Sequence, residues 1–187
     1  MLDKLLSLDV QLLVYLNGLG SESYDGFWLF ITKQINWLPL FLILLYVIYK
    51  KIGAKQSLYV LLSIAVLILF TDQFTNLVKN SVERLRPCNN PEIKNIIRIV
   101  QSRSSFSFFS GHAANSMAAA MFIYHLIKPY FKYALLLFLW PLIFAYSRIY
   151  LGLHYPLDIL SGYLVGMITG LTAFRIYQFT QIKYFPL

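Results

Sequence analysis

Long apolar runs alternate with short polar breaks along most of this chain. One run extends from Phe27 to Tyr49, strongest from Trp37 onward, and ends at Lys50-Lys51. A second covers Ser57 to Val78. A third opens at Ser110-Gly111 and continues through Met117-Ala118-Ala119-Ala120 to Ile127. The fourth covers Tyr133 to Tyr150 and the fifth Pro156 to Tyr177. A bilayer-crossing helix needs about 20 mostly apolar residues, so each run predicts a transmembrane helix. Residues 1–20 do not meet that standard, because Asp3, Lys4, Asp9 and Gln11 sit among their leucines. They predict an amphipathic helix lying in the membrane interface and ended by Gly18-Leu19-Gly20; a shallow first span would raise the count to six. The expectation is therefore an all-α integral membrane helical bundle, one domain over 1–187, with about five to six transmembrane helices and an N-terminal amphipathic helix. Residues 80–109 form the one long loop. Gly162, Gly166 and Gly170 recur every four residues in the fifth run, which lines one helix face with glycine and permits close helix packing.

Composition sharpens this picture. Hydrophobic residues make up 58% and charged residues 13%, with a mean hydropathy of +0.62, which excludes an ordinary soluble domain. The formal net charge of +8 does not point to nucleic acid, because the basic residues flank apolar runs instead of forming a basic face. The single cysteine, Cys88, excludes an intrachain disulfide or a Cys-based zinc cluster. Asp3 and Asp9 punctuate the N-terminus, which is not read as a cleavable signal. Charges also divide by side. Lys50, Lys51 and Lys55, then Lys128 and Lys132, then Arg175 and Lys183 fall on one side with no acidic residue among them. By the positive-inside tendency that side is cytoplasmic. The long loop, the 148–158 connection and the N-terminus then share the outer side, at a bacterial inner membrane whose site faces the periplasm or exterior.

Three polar clusters fall on that outer side. The first is Lys79 with Arg86-Pro87. A lysine ending a helix can simply snorkel to the headgroups, but Arg can engage two phosphoryl oxygens at once while Lys supplies a point charge. The second is Ser110-Gly111-His112, at a helix start. A serine there can be a plain cap beside an interfacial histidine; the same N-terminus also offers free N–H groups and a favourable dipole to an anion. The third is Ser147-Arg148 followed by His154 and Asp158. Asp158 can be a helix cap unrelated to the histidine. It can equally accept a ring N–H from His154 and leave the other nitrogen free to attack. Asp72, Gln73 and Asn76 lie inside the second run, and Asp72 is a further polar group of undecided role.

In order and internal spacing, these clusters resemble the three signature motifs of the type 2 phosphatidic acid phosphatase family, which also includes bacterial acid phosphatases and vanadium-dependent haloperoxidases. The resemblance covers roughly residues 20–178, span pattern included. It departs at one position: the family's second motif usually opens with proline, where this chain has Phe109. The resemblance implies a two-step phosphohydrolase without metal or other cofactor. His154 would be the nucleophile and Asp158 its orienting partner, with His112 the acid and then the base. Lys79, Arg86, Ser110, Gly111 and Arg148 would hold the phosphoryl oxygens. The expected partner is a lipid phosphate or diphosphate within membrane lipid: a polyprenyl diphosphate, phosphatidylglycerophosphate, phosphatidic acid or a lipid A phosphate. A lipid phosphotransferase, and a non-catalytic lipid-binding or transport protein on the same scaffold, are the alternatives.

Overall fold

The computed structural model describes residues 2–184. Among them every regular element is helical: α1 (Leu2–Gly18), α2 (Asp25–Ile31), α3 (Leu38–Val82), α4 (Gly111–Ile127), α5 (Leu139–Tyr150) and α6 (Pro156–Tyr184), joined through short 3₁₀ turns. The all-α expectation holds. Two helical stretches are long and apolar enough to cross a membrane, Gln34–Asn89 and Pro156–Lys183, with Ala134–Tyr150 a shorter apolar one.

Helix α3 is not a single rod. Gly53 sits at φ 79° and ψ 174°, a conformation that glycine reaches readily and other residues resist. The two arms fold back on each other around it. Near the bend, Ile48 and Leu44 share a core with Val60 and Ile64; farther away, Trp37 and Phe41 meet Ile68 around Trp140. In a straight helix Phe41 and Ile68 would stand ~40 Å apart.

Two expected spans begin differently. Residues 27–37 do not join the first arm; they form α2 and the turn Gln34–Trp37. The cause lies in side chains that take the carbonyls at the end of α2. The Trp37 indole donates to Ile31 O at 2.8 Å and Asn36 Nδ2 donates to Phe30 O at 2.7 Å, which satisfies the orphan groups of a helix terminus. In the fourth, Ala134–Phe138 is 3₁₀ and α5 starts only at Leu139, because Pro141 has no N–H to give the Leu137 carbonyl. The second arm of α3 runs one turn past the expected end, to Val82.

The interior is organised on α4. Its face of Ala113, Ala114, Ala118 and Phe122 is fully buried. The glycine stripe of α6 lies against it. A Cβ on Gly162, Gly166 or Gly170 would come within 2.7, 2.5 and 2.5 Å of the Ser110, Ala114 and Ala118 carbonyl oxygens. Helix α1 touches the bundle through Asp9, Leu13 and Asn17, one residue per turn, while Leu2, Leu5, Leu6, Leu8 and Leu12 remain exposed. Asn17 works as a peg. Its amide donates to Arg98 O, Ile149 O and Tyr150 O at 2.9–3.1 Å, and its Oδ1 accepts from Arg98 N at 2.7 Å. At one end of the bundle the Lys51 ammonium lies over the Tyr130 and Phe131 rings, which brings the 50–55 and 128–132 turns together. The opposite end carries the long loop and the 151–155 turn, laced by Cys88 N to Gly152 O at 3.2 Å and Gln101 N to Leu151 O at 3.3 Å.

Candidate active site

The start of α6 supplies the first fixed point. Pro156 opens the helix without an N–H, and Asp158 two residues on reaches back to accept from Tyr155 N at 3.0 Å, the reciprocal half of a capping box. The same oxygen, Oδ2, accepts from the Ser107 hydroxyl and faces His154 Nδ1 at 3.2 Å. His154 itself stands in the turn after α5, where His154 N and Leu153 N both donate to Arg148 O. Residues four apart across a helix start thus become a buried pair, 1% and 0% exposed.

Arg86 sets the other side of the ring. Its Nη1 lies 2.9 Å from His154 Nε2. A guanidinium carries only N–H donors, so Nε2 is the acceptor and the imidazole proton sits on Nδ1, toward Asp158. Arg86 is held in turn by Leu153 O at 2.9 Å, Ser105 O at 2.7 Å and the Ser105 hydroxyl at 3.0 Å. Burial, then the charges of Arg86, Arg148, Lys79 and Arg84, keep the His154 ring well below the usual imidazole range. The ring is neutral, with its lone pair on Nε2.

Helix α4 approaches from its N-terminus. Ser110 caps it, accepting from Ala113 N at 3.4 Å. Ser110 N donates to Asp158 O at 2.9 Å, which ties the second cluster directly to the third. Gly111 follows, and a Cβ there would press on Thr75 of α3 at 3.2 Å. Lys79 is one turn beyond Thr75 on the same helix face, half-buried near the end of α3. The His112 ring stacks on Phe144 of α5, centroids 4.9 Å apart. Arg148, 2% exposed, donates to the Thr32 hydroxyl at 2.5 Å, and its Nε has no partner. Among the described residues, none of Lys79, Arg86 and Arg148 forms an ion pair with a carboxylate. Buried or half-buried cations without a directly paired anion are costly, and this group has the charge and the fork geometry to take a phosphoryl anion.

Three further residues belong to this network and escaped the sequence reading. Arg84 binds Asp158 Oδ1 at 2.8 Å and Asp9 Oδ2 at 2.6 Å, with its guanidinium 3.7 Å over the Tyr155 ring. Asp9, from α1, also accepts from Leu157 N at 2.8 Å, satisfying another free N–H at the start of α6. Ser107 completes the shell of Asp158. An acid among the leucines of residues 2–13, in mid-helix unlike Asp3 in the first turn, was the available signal for Asp9; Ser107 sits in a serine-rich run with nothing to single it out. Phe109 is 3% exposed and its ring faces Phe74 of α3 at 6.0 Å, so it fills the interior. Asp72 is exposed on α3 and accepts from Asn76 at 3.4 Å, outside this network.

Comparison with known proteins agrees with this architecture. A "Lipid A 4'-phosphatase" of Bacteroides thetaiotaomicron is 37% identical over 175 residues, 91% of this chain and 77% of that protein. A "Putative undecaprenyl-diphosphatase YbjG" of Escherichia coli is 30% identical over 154 residues, 80% of this chain and 72% of that one. Among solved structures, the crystal structure of a transmembrane PAP2 type phosphatidylglycerolphosphate phosphatase from Bacillus subtilis shares the fold with a TM-score of 0.70 at 19% identity, over 97% of this chain and 88% of that one. Aquifex aeolicus LpxE follows at a TM-score of 0.58 and 25% identity, over 90% and 95%. Residues 56–182 match the model of the PAP2 superfamily. The chain belongs to the PAP2 superfamily, as a membrane phosphatase.

Proposed function

We propose that this lipid phosphatase hydrolyses a lipid phosphate at the outer face of a bacterial inner membrane through a phosphohistidine on His154. The observation that carries the reading is the ring of His154. Its tautomer is set by Asp158 on one side and Arg86 on the other, beside three cations, Lys79, Arg86 and Arg148, that form no ion pair with a described carboxylate. The two arms of α3, together with α4, α5 and α6, make the five spans, and the lysine-rich turns face the cytoplasm.

In the first step Arg86 turns from Nε2 to a phosphoryl oxygen, joined by Lys79, Arg148, the Ser110 hydroxyl and the Gly111 N–H. The Nε2 lone pair attacks phosphorus and the bond to the lipid oxygen breaks. His112 gives that oxygen its proton. The positive charge that develops on His154 is balanced by Asp158 through Nδ1–H. In the second step water attacks, His112 takes its proton, the N–P bond breaks and inorganic phosphate leaves. No step calls for a metal.

Among lipids, the reading favours a phosphorylated glycolipid of the lipid A kind, because the relative at 37% identity over 91% of this chain carries that activity in its name. The test is inorganic phosphate release from purified protein, in EDTA, on lipid A phosphates, polyprenyl diphosphate, phosphatidylglycerophosphate and phosphatidic acid. Release that persists in EDTA and is fastest on the glycolipid supports the reading. Transfer of phosphate to another lipid without release rejects hydrolysis.

A further inference from the structure

A cleft of about 340 Å³ lies between the arms of α3 and the faces of α4 and α5. Its connection to the site is made by shared residues. Phe144, which stacks on His112, also lines the cleft. Asn115 lies one turn along α4 from His112. Gln34 and Trp37, which also line it, follow Thr32, the partner of Arg148, in sequence. From Asn115 to Ile123 on the far wall is eight residues of helix, ~12 Å of depth. The deep wall is aliphatic, built from Leu44, Leu45, Ile48, Val60 and Ile64.

The polarity of this cleft is uneven in an informative way. Trp140 is 8% exposed and its indole Nε1 has no hydrogen-bond partner; the buried Asn115 Oδ1 has none either. Both residues line the cleft, and among the described lining residues these two carry a buried side-chain atom left without a partner. An indole nitrogen only donates and an amide oxygen only accepts. A buried polar group without a partner is costly, so a ligand that supplies one acceptor and one donor near the headgroup, then hydrocarbon, fits these walls. An amide-linked or hydroxylated acyl chain has that sequence of groups. A polyprenyl chain has neither group beyond its diphosphate.

Resting on the lipid phosphatase reading above, we infer that this cleft receives an acyl chain of the substrate and that Trp140 and Asn115 read the amide or hydroxyl near its head, selecting acylated sugar phosphates over polyprenyl diphosphates. The test compares kcat/KM on a glucosamine phosphate bearing amide-linked hydroxyacyl chains with kcat/KM on a polyprenyl diphosphate, for the wild type, Trp140→Phe and Asn115→Leu. Phenylalanine preserves the ring packing on Phe41 and Phe144 and leucine preserves volume, and thermal unfolding in detergent checks that both fold. Each variant is expected to lower the ratio of the two constants about tenfold, the worth of one hydrogen bond. A ratio unchanged in both folded variants, with phosphate still released, overturns the inference and leaves the phosphatase reading intact. A wild type that releases phosphate from neither lipid overturns both.

Discussion

A histidine can attack phosphorus only through a ring nitrogen that keeps its lone pair, and at His154 neighbours of opposite sign choose which nitrogen that is. Asp158 Oδ2 accepts a hydrogen bond from Nδ1–H and Arg86 donates toward Nε2. Asp158→Asn tests this choice. An amide must present an N–H either to the His154 side or to Arg84, and in both arrangements the charge that steadies the ring is gone. We expect kcat to fall roughly 10³–10⁴-fold, the size of a comparable tautomer error in a catalytic triad, with the protein still folded. The depressed pKa of His154 gives a second prediction. The folded ring resists protonation below about pH 6.5, where an unfolded histidine already takes a proton. The acid limb of kcat/KM should therefore lie below pH 6.5. The same linkage costs stability as pH falls through that value and vanishes above it. Arg86→Gln removes one of the charges depressing the ring, so its acid limb should move to higher pH; an unmoved limb would refute the electrostatic account. The clustered residues from Lys79 to Asp158 were legible in the sequence because each sits in a short polar break. Asp9, Arg84 and Ser107 were not. Their roles depend on which helix end meets which loop, and local pattern carries no record of that.

Elements meet here through backbone contact more than through large side chains. The α4–α6 interface is closed by the three glycines of α6 against alanines of α4, and glycine at four-residue spacing made that face readable beforehand. Gly166→Ala puts a methyl 2.5 Å from the Ala114 carbonyl, and such overpacking should lower stability by about 1–3 kcal/mol. Gly26→Ala, in a helix where nothing lies within 4 Å, is the control and should not lower the unfolding temperature in detergent, since alanine is the better helix former. Helix α1 is coupled to the site through Asp9, Arg84 and Leu157. Removing one partner of a buried ion pair is strongly destabilising, about 3 kcal/mol at the lower end of the usual range. Asp9→Ala should therefore lower both stability and kcat while leaving KM nearly unchanged, since Asp9 touches Arg84 and α6 and not the substrate. A normal kcat in that variant would reduce α1 to an anchor. The helices expected of the first and fourth apolar runs begin later than hydropathy implied. The side chains of Asn36 and Trp37 and the missing N–H of Pro141 decide those starts, and an apolar average does not weigh them.

At the scale of the whole molecule, the account requires sidedness: lysine-rich turns at one end, the polar network at the other, and a cleft leading down from that network. Cys88 is the sole cysteine and is buried, which makes labelling of introduced cysteines clean. A membrane-impermeant maleimide should modify Glu92→Cys in intact spheroplasts and Lys128→Cys only in inverted vesicles; the reverse pattern would put the site on the cytoplasmic face. Charge asymmetry and the parity of the apolar runs made this arrangement readable in outline, whereas the bend at Gly53 and the cleft between the arms emerge only from packing. The central claim is chemical, and rapid acid-free quenching of the enzyme with a labelled lipid phosphate tests it most directly. The account expects base-stable, acid-labile phosphate on the peptide that contains His154, with both the label and phosphate release abolished in His154→Ala. Full phosphate release by His154→Ala, or label mapped to another residue, would contradict it.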